Sequence, residues 1–388
     1  MSDISKRAES IQPFHVMKLL ARARELESQG KSIIHMEVGE PDFNTPQPIV
    51  DAAMEAIKSG EVHYTPAMGL PQLREAISNY YLTQFSVNVS PERIIVTPGA
   101  SGALLLALSA IIEAGQSVLL ADPGYPCNRN FISLLEGKSQ LINVGAQTSF
   151  QLDAELVKRH WEKNSAAVLL ASPSNPTGTT ISKQNLTDII DYVNEKNGSV
   201  LVDEIYQSLV YDIQASTALS ISDEVFIINS FSKYFSMTGW RVGWLVVPDK
   251  FISVADNLAQ NLFLAAPTPA QYAALAAFNP ESIEILEQRR VEFKARRNYL
   301  LEALPKLGFT IPVAPEGAFY IYANCEAITE NSFEFAELCL EKAGVAITPG
   351  IDFGVNQAEK YIRFAYTTSL ESLKEAVSRL EKLVNKLK

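Results

Sequence analysis

The amino-acid sequence predicts an α/β protein: a large domain with a mostly parallel seven-stranded sheet covered by helices, joined to a smaller α+β domain. Short runs rich in apolar and β-branched residues recur through the middle of the chain, several of them nearly continuous in apolar residues. Stretches of helical pattern separate these runs. Strands that are apolar on both faces belong to a sheet covered on both sides, and such sheets are mostly parallel. A change of texture near residue 281, from short strands to a long charged helix and mixed elements, marks the second unit.

In chain order, the expected strands of the large sheet are Ile94–Thr97, Val118–Ala121, Gln140–Val144, Ala167–Ala171, Ser199–Asp203, Val225–Asn229 and Gly243–Val247. The segments 101–113, 128–136, 153–161 and 183–195 read as its helices. A charged helix over 281–302 carries Arg289, Arg290, Arg296 and Arg297, and leads to strands at 308–312, 318–322 and 361–365. Further helices are expected near 332–343 and 370–387. Residues 12–29 have the spacing of an amphipathic helix, through Val16, Leu19, Leu20, Ala23 and Leu26. The expected division is 45–280 for the large domain, with 1–44 and 281–388 forming the small one.

Composition narrows the function. The 388 residues are 47% hydrophobic and 20% charged, which is ordinary for a globular protein that buries its own core. A net charge of −11 argues against a nucleic-acid partner, because phosphate backbones are bound by basic surfaces. Cys127, Cys325 and Cys339 are far apart, without metal-ligand spacing. So sparse and odd a set fits a reducing compartment. With no signal-peptide pattern and no apolar stretch of membrane-spanning length, the expectation is a cytoplasmic protein without membrane or metal partners.

The most informative segment is Asn229-Ser230-Phe231-Ser232-Lys233, followed eight residues after the lysine by Arg241. A strand ends at Asn229, and a hydroxyl-rich turn then carries one lysine. In open α/β sheets, ligands bind beyond the carboxyl ends of the strands, where this lysine lies. A lysine amine forms an imine with an aldehyde, and does so better when its surroundings lower its pKa. Ser230, Ser232 and Arg241 supply hydroxyl and guanidinium donors suited to a phosphate dianion.

This segment resembles the cofactor-lysine motif of the class I/II aminotransferases, in the fold-type I pyridoxal-phosphate superfamily. The resemblance runs from about Gly39 to Arg363, with the motifs in the family's order. It implies that Lys233 binds pyridoxal 5'-phosphate covalently, that Asp203 pairs with the pyridine nitrogen, and that Tyr206 and Asn175 reach the phenolic oxygen. It implies further that Ala100 and Ser101 hold the phosphate with Ser230, Ser232 and Arg241, and that Tyr125 stacks on the ring. Arg363 and Gly39 match positions that hold the substrate α-carboxylate, where Tyr125 and Asn175 also touch the substrate. Tyr64 matches a tyrosine that reaches the phosphate of a neighbouring subunit, which implies a homodimer with sites at the interface. The residues alone leave other readings open: Asp203 as a helix cap, Asn175 as part of a plain turn, Tyr125 as a core tyrosine, Arg363 in an internal salt bridge.

The implied activity is amino transfer between an amino acid and a 2-oxo acid, with Lys233 as general acid/base and ping-pong kinetics. Glutamate with 2-oxoglutarate is the expected partner pair. Ser101 stands where one dicarboxylate-using branch has a lysine, and 252–288 contain no basic residue. Both features favour a neutral donor, alanine-like or aromatic, over aspartate, which would need another cation such as Lys18 or Arg22. The rival readings are a carbon–sulfur β-lyase on the same scaffold and a cofactor-binding regulatory domain. Only about 40 residues precede the sheet region, too few for the basic DNA-binding domain that such a regulator carries.

Overall fold

The computed structural model describes residues 4–11 and 15–387. Seven strands form the large sheet: β1 Ile94–Thr97, β2 Ser117–Asp122, β3 Lys138–Asn143, β4 Ser165–Ala171, β5 Ser199–Asp203, β6 Val225–Ser230 and β7 Gly243–Val246. Their spatial order is β1-β7-β6-β5-β4-β2-β3. All pairings are parallel except those of β7, which runs antiparallel to both neighbours. The sequence predicts the sheet and its mostly parallel character, but not which strand is reversed.

The reason for the apolar runs is visible in the packing. Along β5, Val200 and Val202 enter one core and Leu201 the other; along β6, Val225 and Ile227 alternate with Phe226 and Ile228 in the same way. Successive side chains of a strand point to opposite faces, so a sheet buried on both sides needs apolar residues at every position. One face is closed by Gly99–Ile111 and Ile252–Leu262, through Leu104, Ala107, Leu108, Ala255 and Ala259. The other is closed in part by Lys183–Glu195, whose Leu186, Ile189, Ile190 and Val193 fall on one helical stripe. Ser182 caps that helix by accepting a hydrogen bond from Asn185 N. Each such fully buried aliphatic side chain stabilises the fold by roughly 2 kcal/mol.

A second sheet is antiparallel, with Tyr361–Ala365 between Thr348–Pro349 and Tyr320–Asn324. The N-terminal segment joins it: Ile34–His35 pairs parallel with Val345–Ala346, and Ala365 N donates to Met36 O at 2.8 Å. The helix His15–Ser28 buries Leu19, Ala23 and Leu26 against Leu340 and Ala346. Residues 12–14 of the expected helix 12–29 lie outside the described residues.

Three expectations for this region are corrected. The segment 308–312 is not a strand: Thr310 makes a single bridge to Asn324, and Pro312 removes the next donor a ladder would need. The strand expected at 318–322 begins two residues later, at Tyr320. Ala318 has φ 58°, and its N–H and C=O are taken by Leu209 O and the Tyr211 hydroxyl, so the chain turns there before it pairs. The charged helix runs longer than expected, over Pro280–Leu307, with Pro280 at its first position, where no N–H is needed. Among the described residues no helix is long and apolar enough to cross a membrane.

Candidate active site

The carboxyl ends of the parallel strands open into a cavity of about 460 Å³ between the two sheets. Ala171, Asp203, Ser232 and Lys233 line its floor, Ala100 and Ser101 one end, and Tyr320 and Arg363 the opposite wall. Val16, Met17, Leu104, Tyr125 and Phe353 add apolar surface to its lining.

Lys233 follows β6 in a tight turn, and its Nζ donates to Gly39 O at 2.7 Å. Burial lowers the amine to about 8, with Glu40 opposing that shift and Arg363 and Arg241 adding to it. A lysine so placed is partly neutral, and therefore nucleophilic, near neutral pH. Asp203 closes β5 at 7% exposure, and one oxygen accepts from Ile205 N at 3.0 Å. Burial pushes its carboxyl up to about 6, opposed by that hydrogen bond and by Lys233.

The Tyr206 and Tyr320 hydroxyls are 2.7 Å apart and both buried. The Tyr320 hydroxyl occupies the space where a side chain at position 39 would begin: a Cβ there would lie 1.8 Å from it, so only glycine fits. Arg363 stands in the middle of its strand at 4% exposure. It donates from Nη1 to Asn175 Oδ1 at 2.9 Å and from Nη2 to Glu37 O and, at 3.3 Å, to Thr348 Oγ1. Its guanidinium carbon is 4.4 Å from the Tyr320 ring centre and 4.7 Å from that of Phe353. Arg363 Nε is buried without a hydrogen-bond partner, and no carboxylate pairs with this arginine among the described residues. A guanidinium held by neutral groups, with a donor to spare at a cavity wall, is suited to receiving a carboxylate.

At the other end, Ala100 and Ser101 sit in the first turn of Gly99–Ile111, where backbone N–H groups lack helical partners. Arg241 reaches the same end of the cavity from a left-handed backbone position, φ 54°, with Nη1 donating to Thr238 O at 2.9 Å. Non-glycine residues adopt this conformation only where the surroundings hold them in it. Ser232 lines the cavity, whereas Ser230 lies behind it, donating to Ser232 Oγ at 2.9 Å. Tyr125 lines the wall, with the Cys127 thiol donating to its hydroxyl at 3.2 Å. Tyr64 is 84% exposed and is not among the lining residues.

The sequence pattern described as Aminotransferase class I and II matches residues 31–380. The chain belongs to this family. Class I and II aminotransferases depend on pyridoxal phosphate, and the cavity of this aminotransferase fits that group. It offers a half-buried amine, a buried carboxylate, and an anion-binding end built of hydroxyls, a helix N-terminus and a guanidinium. The chain is 39% identical over 386 residues to a (5-formylfuran-3-yl)methyl phosphate transaminase of Methanocaldococcus jannaschii, covering 99% of this chain and 100% of that one. It is 34% identical to a valine–pyruvate aminotransferase of Mycobacterium tuberculosis, with 98% of each chain covered. A crystal structure of an aminotransferase from Mycobacterium tuberculosis superposes with a TM-score of 0.96 over 100% of both chains at 34% identity.

Sequence reasoning missed several wall residues of this aminotransferase: Val16, Met17, Glu37, Glu40, Leu104, Tyr320, Asp352 and Phe353. Most are ordinary core or loop residues by type, and only the pairing of distant segments brings them to the cavity. Glu40 and Asp352 carried a signal, since each is an acidic residue beside a glycine or aromatic turn, though nothing local ties them to a site.

Proposed function

We propose that this aminotransferase moves an amino group from a neutral, apolar amino acid to a 2-oxo acid, with glutamate and 2-oxoglutarate as one partner pair, by a ping-pong mechanism. The observation that carries the choice of donor is the cavity wall. Its lysine and arginine residues, among those described, are Lys233, Arg241 and Arg363, and Val16, Met17, Leu104 and Phe353 line it as well. Lys18 and Arg22 do not line it, and Arg22 is held by Glu341 at 2.6 Å and Glu25 at 2.7 Å. Among the described residues the lining thus holds no cation set aside for a distal carboxylate, which disfavours a dicarboxylic donor. Glutamate with 2-oxoglutarate remains the pair that the family likeness implies, and that one dicarboxylate is tolerated without such a cation. The valine–pyruvate aminotransferase among the relatives is a protein named for such a donor.

Pyridoxal phosphate, when bound, supplies an aldehyde that condenses with amines and a ring that accepts the electron pair left when the Cα–H bond breaks. In this reading the chain's own residues do the rest. Arg363 grips the α-carboxylate and so orients Cα–H toward Lys233. The Lys233 amine takes the proton from Cα and later returns one, as general base and acid. Asp203, ionised at neutral pH, would keep a proton on the pyridine nitrogen. Tyr206 and Asn175 would hydrogen-bond the phenolic oxygen. Ser101, Ser232, Arg241 and the N–H groups at Ala100 and Ser101 would hold the phosphate, with Ser230 orienting Ser232. Exposed Tyr64 fits a role across a homodimer interface. In the same reading, residues 1–44 and 281–388 make up a small domain beside the large domain, 45–280.

The test is a titration of the cofactor-loaded protein with a panel of amino acids, followed by visible absorbance. Valine, leucine or phenylalanine should convert the cofactor to its amino form with kcat/KM at least about tenfold above that of aspartate, the scale of discrimination by one pocket wall. A preference for aspartate would overturn the donor assignment. Release of pyruvate and ammonia from cystathionine, without amino transfer, would favour the lyase chemistry instead.

A further inference from the structure

The loop 352–356 leaves the second sheet and meets the end of β2, where two of its backbone N–H groups converge on one carboxylate. Asp122 closes β2 at 1% exposure and is not among the residues lining the cavity. Val355 N donates to Asp122 Oδ1 and Oδ2 at 3.2 and 3.1 Å, and Asn356 N donates to Oδ1 at 3.4 Å. The Asn356 side-chain amide donates to Asp122 O at 3.4 Å and to Val144 O at 3.0 Å. Gly124 N donates to Phe353 O at 2.9 Å, and Arg129 Nη2 to Asp352 O at 3.1 Å. The loop backbone lies directly on the carboxylate: a Cβ at Gly354 would fall 1.6 Å from Asp122 Oδ1. Asp122 forms no ion pair among the described residues, so backbone N–H groups alone compensate its burial.

What the loop carries explains why it is tied down. Phe353 presents its ring to the Arg363 guanidinium at 4.7 Å. The Asp352 carboxylate accepts from His15 N at 2.7 Å and Val16 N at 2.8 Å, docking the first turn of His15–Ser28 beside the cavity. One buried acid on the large sheet thus anchors, together with Gly124 N and Arg129, the loop that carries both a neighbour of Arg363 and the carboxylate that docks the helix bringing Val16 and Met17 to the wall.

We propose that Asp122 is a positioning residue for substrate binding: through the loop 352–356 it sets Phe353 against Arg363 and the N-terminal helix over the cavity before the amino acid arrives. This rests on the reading of Arg363 as the holder of the α-carboxylate, and deepens it. A loosened loop leaves that clamp and wall to be ordered at binding, so affinity falls while the proton-transfer groups, which the loop does not touch, keep their rate.

The experiment compares cofactor-loaded wild type with Asp122→Ala, Asn356→Ala and Arg363→Ala. Three quantities are read: kcat and KM for the best donor, the dissociation constant of pyridoxal phosphate, and calorimetric binding of 4-methylpentanoate, an unreactive carboxylate. Asp122→Ala should weaken 4-methylpentanoate binding and raise KM roughly ten- to hundredfold, the scale of a hydrogen-bonded buried charge. Its kcat and cofactor affinity should stay within about threefold of wild type. Asn356→Ala, which cuts the same loop without touching the buried carboxylate, should move the same quantities less, and decides the matter if Asp122→Ala does not fold. Unchanged carboxylate binding in both variants overturns the proposal, as does a fall of kcat and cofactor affinity in step with carboxylate affinity. If Arg363→Ala leaves carboxylate binding intact, the reading of Arg363 itself fails; if only Arg363→Ala weakens it, Asp122 alone is misassigned.

Discussion

Lys233→Ala is expected to lower the rate of amino transfer by roughly four orders of magnitude or more, the loss that follows removal of both a covalent anchor and a proton-transfer group. Two features of the site make this the largest effect of any single substitution. The amine sits on the cavity floor, 2.7 Å from Gly39 O and facing Asp203 and Arg363, so no other lysine can take its place without moving a strand end. Its basicity is lowered to about 8 by burial, which keeps a reactive neutral fraction that a solvated lysine lacks. Single-turnover absorbance changes with a saturating donor measure the loss. Transfer by the variant within about a hundredfold of wild type would mean that another group carries the proton.

Asp203→Asn is expected to lower kcat about 10²- to 10³-fold with a smaller change in KM, as removal of one preorganised charge facing a reacting group does. The substitution keeps the shape and leaves an oxygen to accept from Ile205 N, so the turn after β5 stays in place. What is lost is the negative charge. Burial, opposed by the hydrogen bond from Ile205 and by Lys233, pushes the Asp203 carboxyl up to about 6, yet the group remains mainly ionised at neutral pH, where it can hold a cationic partner. Steady-state kinetics with the best donor check the prediction, and a kcat within about threefold of wild type would remove Asp203 from the chemistry.

The large sheet was legible because its physics is local. A strand buried on both faces must be apolar at every position, so β1 and β5 fall where their runs lie and the others differ by a residue or two at their ends. The second sheet was less legible because its strands are short and their limits are set from elsewhere. Thr348–Pro349 is two residues long and exists through its pairing with Ile362 and Arg363. Ile34–His35 is a strand because Val345–Ala346 lies beside it, more than three hundred residues away in the chain. The two misjudged segments, 308–312 and 318–322, are bounded by a proline and by the turn at Ala318, where contacts with Leu209 and Tyr211 override β propensity.

The same division holds at the site. Lys233, Asp203, Asn175 and Ala100 follow strand ends of the large sheet, where ligand sites of open α/β sheets lie, and their residue types declare the chemistry. Tyr320 and Phe353 were not legible. By type they are core aromatics, and their relation to Arg363 arises only when the antiparallel sheet and the loop 352–356 fold against the large sheet. Asp122 looks like an ordinary strand-terminal acid until the backbone of Val355 and Asn356 is seen on its carboxylate.

Borohydride reduction of the cofactor-loaded protein, followed by proteolysis and mass spectrometry, tests the assignment of the reactive amine most directly. One phosphopyridoxyl group per chain is expected, on the peptide containing Lys233 and on no other lysine. A protein that takes up the label elsewhere while position 233 stays unmodified would contradict the site described above.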